Sequence, residues 1–228
     1  MSLTVDLEAV RAEYLRRTTG GDSLLLRQVE DYASSRRGKM LRPRLTLLAA
    51  ATCGDTCLNS RRTLLAATCV EMLHNASLLH DDVIDGDTER RGQPSVNARW
   101  NNKVAVLVGD YMLAHVMRIL DEMDDSEAAR MVNSTVTDMV EAELLALEPS
   151  EPSKERYLHI IDGKTARLFA TACALGNPEY EVFGLHYGRL FQLNDDMADG
   201  EQTPWTNELI DEEKATMATI KHKLTVQI

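Results

Sequence analysis

Glycine and proline are scarce in this chain, 12 and 6 among 228 residues, and long stretches hold neither. That scarcity disfavours a protein built from hairpins and tight turns, and no run alternates apolar and polar residues as a half-buried strand would. Cysteine is scarcer still. Cys53, Cys57, Cys69 and Cys173 form no CxxC pair, which argues against a zinc site, and their scatter suggests a reducing cytoplasm. Basic residues are outnumbered, 25 Lys and Arg against 36 Asp and Glu, for a formal charge of -11. Nucleic acid is therefore not the expected partner, because a phosphate backbone needs a basic surface. Any phosphate-bearing ligand must be met by a local basic cluster or by metal ions. The N-terminal "MSLTVDLEAVRAEYLRR" lacks the apolar core of a signal peptide. The most apolar run, "VAVLVGDYMLAHVMRIL" at 104–120, is interrupted by Asp110, His115 and Arg118, so no membrane span is expected. A helix this apolar is buried on several sides, at the centre of a bundle or against a second subunit.

What is present is helical periodicity. Leu7, Val10 and Tyr14 open one helix, which residues 18–22 break. Leu24–Ser35 reads as a second, "RRGKMLRP" as a basic turn, and helix resumes over 45–52. Gly54 and Asp55 mark another turn. Residues 62–84 form one long helix ending near Gly86, and 92–94 a loop. Helices follow over 97–124, 126–147 and 154–175, then the turn "GNPEYE" and a helix over 183–198. Thr203 and Pro204 introduce a last helix, with Ile210, Met217 and Leu224 on one side. The expected fold is all-α: one domain over 1–228, a single antiparallel helix bundle whose sites are built from inward side chains.

Carboxylates cluster where such a bundle would build a site. In "SLLHDDVIDGDTERRGQPS", Asp81 and Asp85 fall about 40° apart on a helix, with Asp82 on the shoulder and His74 on the same face. Alone, this reads more readily as a solvated acidic helix end. "FQLNDDMADG" repeats the spacing at Asp195, Asp196 and Asp199. Two such triads facing each other could hold Mg²⁺ ions around a diphosphate, since Mg²⁺ takes oxygen ligands from one or two carboxylates and from phosphates. Cations accompany them: Lys39 and Arg42 in the basic turn, Arg90 and Arg91 after the first triad, and Lys164 with Thr165 in a later helix. Arg36, Arg37 and Arg61 read as surface charges. Two basic groups and two triads suggest two phosphate sites, one bridged by metal and one direct. No nucleophile elbow, P-loop or dinucleotide fingerprint competes with this reading. Below Asp81, Leu73, Ala76 and Ser77 are positioned to border an apolar shaft; the Ala166, Ala170 and Ala174 stripe serves either such a shaft or close helix packing.

"GKMLRP", "EMLHNASLLHDDVIDGDTERRGQPS", "VLVGDYML", "GKTARLF" and "FQLNDDMAD" resemble, in order, the conserved blocks of the trans-isoprenyl diphosphate synthases, or polyprenyl synthetases, of medium- and long-chain type. The resemblance covers about residues 30 to 200 and implies an isoprenoid-synthase-like bundle, shortened at its C-terminal side because one helix follows the second aspartate motif. It implies that Lys39, Arg42, His74 and Arg91 bind isopentenyl diphosphate. Asp81, Asp82, Asp85, Asp195, Asp196 and Asp199 would serve Mg²⁺, while Arg90, Lys164, Thr165 and Gln192 would contact an allylic diphosphate of farnesyl or geranyl type, or its developing cation. Leu73, Ala76 and Ser77 would set chain length. The implied reaction is head-to-tail prenyl transfer in a homodimer. Two alternatives remain: a non-catalytic partner subunit of a heteromeric synthase, and a terpene cyclase, which shares DDxxD but has no need of the Lys39, Arg42 and His74 set.

Overall fold

The computed structural model describes residues 6–19, 21–35 and 38–226. Twelve α-helices dominate these residues: α1 Leu7–Thr18, α2 Leu24–Ser35, α3 Leu41–Ala51, α4 Asp55–Leu58, α5 Arg61–Ile84, α6 Val96–Arg99, α7 Asn102–Met123, α8 Ser126–Leu147, α9 Lys154–Ile161, α10 Arg167–Gly176, α11 Glu181–Asp199 and α12 Thr206–Val226. A π-turn, Asp162–Ala166, joins α9 to α10, and a 3₁₀ turn, Pro178–Tyr180, precedes α11.

The centre of the bundle is α5. Ser60 caps it by accepting from the Thr63 N–H. Leu65, Ala66, Cys69, Val70, Met72, Leu73 and Ala76 are all buried, so its walls are lined almost all round. It packs on α7, α3, α1 and α10. Of the two places expected for the more apolar run at 104–120, the centre of the bundle and a face against a second subunit, the first is not the one it takes: it lies on one flank. There α7 buries Ala105, Val108, Met112, Val116 and Ile119 against α5, while Leu107 and Met117 stand 66% and 63% exposed. Val140, Leu144 and Leu147 of α8 are exposed too. Among the described residues no helix is long and apolar enough to cross a membrane.

Local chemistry moves several expected boundaries. Helix α3 starts at Leu41, because Pro43 sits in its first turn, where a missing N–H costs nothing. The loop expected at 92–94 is the end of a small hairpin, β1 Glu89–Arg90 against β2 Gln93–Pro94. Its two-residue turn has φ of 55° at Arg91 and 75° at Gly92, the doubly positive pattern that suits a tight antiparallel hairpin. Strands of two residues are too short to show alternation. The helix expected over 154–175 is interrupted by the π-turn, at Gly163. A Cβ there would lie 2.5 Å from Ala142 Cβ and 2.6 Å from the Asp138 carbonyl oxygen, so only glycine lets the turn press onto α8.

The alanine stripe serves packing. A Cβ on Gly188 would lie 2.6 Å from Ala166 Cα, and one on Gly184 would lie 2.8 Å from Ala170 Cα. Small residues on α10 and α11 thus bring two backbones together, leaving no shaft between them.

Candidate active site

The last turn of α5 divides the first aspartate motif. Asp81, half-buried, shares the wall of a cavity with Lys164 and Glu143. Asp85 is the exposed C-cap, its N–H donating to the Asp81 carbonyl at 2.8 Å. Asp82 turns the other way. It is 3% exposed and accepts from Arg90 Nε at 2.7 Å, and Arg90 also pairs with Asp87 at 3.2 Å. The single stripe of three carboxylates expected from the spacing is therefore two on one side and one on the other. Adjacent helical residues point about 100° apart, and Arg90 supplies the partner that draws Asp82 away. Burial, then the neighbouring Glu143, pushes the Asp81 carboxyl up to about 6, with Lys164 acting against them.

The end of α11 repeats the division. Asp195 and Asp199 are exposed, whereas Asp196 is 8% exposed with both oxygens engaged. Oδ1 accepts from Gln192 Nε2 at 2.6 Å, and Oδ2 accepts from the Tyr157 hydroxyl. Gln192 Oε1 in turn accepts from Thr165 Oγ1 at 2.6 Å. Burial, Asp199 and Asp196 raise the Asp195 pKa, and Lys39 and Arg42 oppose the rise.

The π-turn connects the two motifs. Lys164 pairs with Glu143 at 2.8 Å and feels Asp81 and Asp85. Burial alone would lower its pKa; these carboxylates raise it above the ordinary value. The next residue, Thr165, reaches the Gln192–Asp196 pair. Two consecutive side chains thus serve two helix ends.

Among the described residues no three acidic, cysteine or histidine side chains converge closely enough to cage an ion unaided. The triads do not form ready-made metal cages. They offer two outward pairs of carboxylates, Asp81 with Asp85 and Asp195 with Asp199, and burial first, then neighbouring negative charge, raises the Asp81 and Asp195 pKa values. Such hard oxygen donors suit a cation that completes its shell with water and phosphate oxygens.

The second basic group sits beside them. Arg42, 9% exposed, lies 4.2 Å from the centroid of the Phe169 ring. Burial pushes its pKa down to about 10, with Glu71 and Asp195 holding it up, and its buried Nε has no hydrogen-bond partner. That Nε is closed to solvent, so an anion arriving beside Lys39 and Arg91 would meet the outer edge of the guanidinium. His74 is held neutral by burial and by Arg42, Arg91 and Arg90. Lys39 is exposed, and Lys39, Arg91 and Asp82 border a cavity of about 250 Å³. Arg91 rests against Gly38, where a Cβ would lie 2.9 Å from its Nη1. Arg61 bonds to Glu13 and Glu122 at 2.9 and 2.7 Å, a structural tie away from the site. Arg36 and Arg37 lie outside the described residues.

A second cavity, of about 230 Å³, opens beside Asp81 and Lys164. Ser77, Leu113, Val136, Met139 and Leu144 line it. Of the three residues expected at a shaft, only Ser77 is on its wall. Ala76 and Leu73, 0% and 3% exposed, are packed into the main core: Ala76 points about 100° away from Ser77, and Leu73 lies one turn deeper on the same side. Glu143, Tyr157 and Glu71 are participants that motif spacing does not single out. They come from α8, α9 and mid-α5, and each is one polar residue on an otherwise ordinary helix.

A family model described as polyprenyl synthetase matches residues 23–222. The all-trans-nonaprenyl-diphosphate synthase (geranyl-diphosphate specific) of Rhodobacter capsulatus is 38% identical over 187 residues, 77% of this chain and 57% of that protein. The crystal structure of a decaprenyl diphosphate synthase from Rhodobacter capsulatus matches with a TM-score of 0.81 at 32% identity, covering 85% of this chain and 63% of that one. A polyprenyl synthase from Caulobacter crescentus CB15, crystallised with calcium and isoprenyl diphosphate, matches with a TM-score of 0.78 at 32% identity, covering 86% and 64%. This chain spans only 57% to 64% of the length of these relatives. The matched region nevertheless holds both aspartate motifs, the basic turn and the π-turn between them, and on that ground the chain belongs to the polyprenyl synthetase family.

Proposed function

We propose that this chain is a head-to-tail prenyltransferase that joins isopentenyl diphosphate to an allylic diphosphate of geranyl or farnesyl type and makes medium- or long-chain polyprenyl diphosphates. One observation carries the reading: the π-turn sends Lys164 to one aspartate motif and Thr165 to the other, beside an apolar cavity. Mg²⁺, bound by Asp81, Asp85, Asp195 and Asp199, would neutralise the allylic diphosphate and assist its departure. Asp82 and Asp196 act behind them, orienting Arg90 and Gln192. Lys164, Thr165 and Gln192 hold the allylic end. Arg42, Arg91, Lys39 and neutral His74 orient the isopentenyl diphosphate so that its double bond faces the electron-poor carbon. No protein base is required if the departing pyrophosphate takes the proton. The growing chain passes Ser77 into the apolar cavity. The exposed apolar faces of α7 and α8 suit burial in a homodimer.

The test incubates pure protein with Mg²⁺, farnesyl diphosphate and labelled isopentenyl diphosphate. Longer prenyl diphosphates are expected, and EDTA should abolish them. Hydrocarbon products mean a cyclase. No product at all favours a partner subunit, a reading to which the same exposed helix faces are suited.

A further inference from the structure

None of the residues assigned to substrate or metal is on α12, yet a chain of charges ties it to the site. Glu213 of α12 is 5% exposed. Its Oε2 lies 2.5 Å from His186 Nδ1, and its Oε1 accepts from Arg189 Nη1 at 3.3 Å. Arg189, on α11, turns its other edge to Asp162: Nε donates to Oδ1 at 2.5 Å and Nη2 to Oδ2 at 2.7 Å. This two-pronged pairing fixes direction as well as distance.

Asp162 is the first residue of the π-turn. Wide turns of this kind are rare and short, and they persist where the surroundings hold them. Here α8 holds one side, through the close approach at Gly163, and Arg189 holds the other. Leu209 and Ile210 of α12 pack with Ile161 and Leu193, so α12 is seated on the helices that flank the turn.

We propose that Arg189 and Glu213 are positioning residues through which α12 clamps the π-turn, so that Lys164 meets the first aspartate motif while Thr165 meets the second. The clamp itself follows from contacts; its consequence for catalysis rests on the substrate roles proposed above for Lys164 and Thr165.

The test uses the full chain carrying Arg189→Leu, Arg189→Lys or Glu213→Gln. Amide hydrogen exchange is followed in peptides covering 162–166 and, as a control, in α5. Loss of a charge-assisted pair should speed exchange across the turn by about tenfold in Arg189→Leu, less in Arg189→Lys and Glu213→Gln, with α5 unchanged. The apparent KM for the allylic diphosphate should rise about tenfold, and that for isopentenyl diphosphate should stay within about twofold. A general loss of fold would move both KM values and the α5 control together. If Arg189→Leu does not fold, Arg189→Lys decides, because it keeps the charge and loses the fork. Unchanged exchange at 162–166 in a folded variant overturns the clamp. Faster exchange with unchanged allylic kinetics overturns its role in positioning. A parent protein without prenyl transfer overturns the functional reading instead, and exchange still decides the clamp.

Discussion

Asp82 and Asp196 hold the same place in two identically spaced motifs, and both are turned inward, but their surroundings differ. Asp82 is balanced by a full positive charge on Arg90, whereas Asp196 is held by the neutral donors Tyr157 and Gln192. One turn before Asp81 stands Ser77, on the wall of an open cavity. One turn before Asp195 stands Phe191, its ring 5.3 Å from Phe169. Lys164 and Glu143 act on the first motif; Lys39 and Arg42 act on the second. The motif specifies carboxylate spacing alone. Neighbouring helices make one end a charged gate over an apolar space and the other a hydrogen-bonded wall backed by aromatic rings.

The outward carboxylates are where the two ends should behave alike. Asp81→Ala and Asp195→Ala should each lower turnover by at least about a hundredfold while the helices stay folded. Steady-state rates and circular dichroism check this; a well-folded variant with normal turnover would remove that end from the metal assignment. The cations should separate the ends. Arg42→Ala should raise the apparent KM for isopentenyl diphosphate by roughly 10- to 100-fold, and Lys164→Ala that for the allylic substrate, as expected for lost hydrogen bonds to charged groups. Equal effects on both substrates would erase the contrast.

Ser77 and its neighbour sharpen the difference in shape. Ser77→Phe should shorten the products toward about fifteen carbons, since one helical turn rises about 5.4 Å. Ala76→Phe should instead destabilise the fold by about 3 kcal/mol, because that position is filled core. Product chromatography and thermal melts distinguish them. The inward aspartates should differ in stability. Asp82→Asn replaces a charged pair by a neutral contact, leaving Arg90 to Asp87, and should cost about 2 kcal/mol, against about 1 kcal/mol for Asp196→Asn, whose partners are neutral. Urea titration measures both, and equal losses would contradict the assigned partners.

The smallest effect concerns pH. Burial first, then Glu143, puts the Asp81 carboxyl at about 6, above the ordinary aspartate range. The folded state therefore binds the proton more tightly, so this group favours folding most below its unfolded pKa, and that stability is lost as pH rises through about 6. Glu143→Gln removes one cause and releases Lys164 to oppose the rest. The metal-free variant should show a shallower decline in melting temperature over this window than the parent. An unchanged slope would show that Glu143 does not act on Asp81.

Much of the fold was legible because it is local. Helices α2 and α8 fall where periodicity places them, and α5 starts one residue early. The departures arise where other contacts intervene. The apolar sequence of α7 left two places open, the centre or an exposed contact face, and its neighbours decide: one side is buried on α5 while Leu107 and Met117 stand exposed. The π-turn looked like continuous helix because its width is imposed by Gly163 against α8 and Arg189 against Asp162, contacts remote in sequence.

By itself the sequence determined an all-helical chain, the two aspartate motifs, the basic turn and their order, because spacing along one helix sets which carboxylates stand near each other. Tertiary structure decided which of those carboxylates look outward. It placed Ser77 on a cavity wall and Ala76 in the core, recruited Glu143 and Tyr157, and divided Lys164 from Thr165. Each depends on partners brought from separate helices. A side chain's direction and charge state are properties of the surroundings it meets, and those exist only once the bundle has closed.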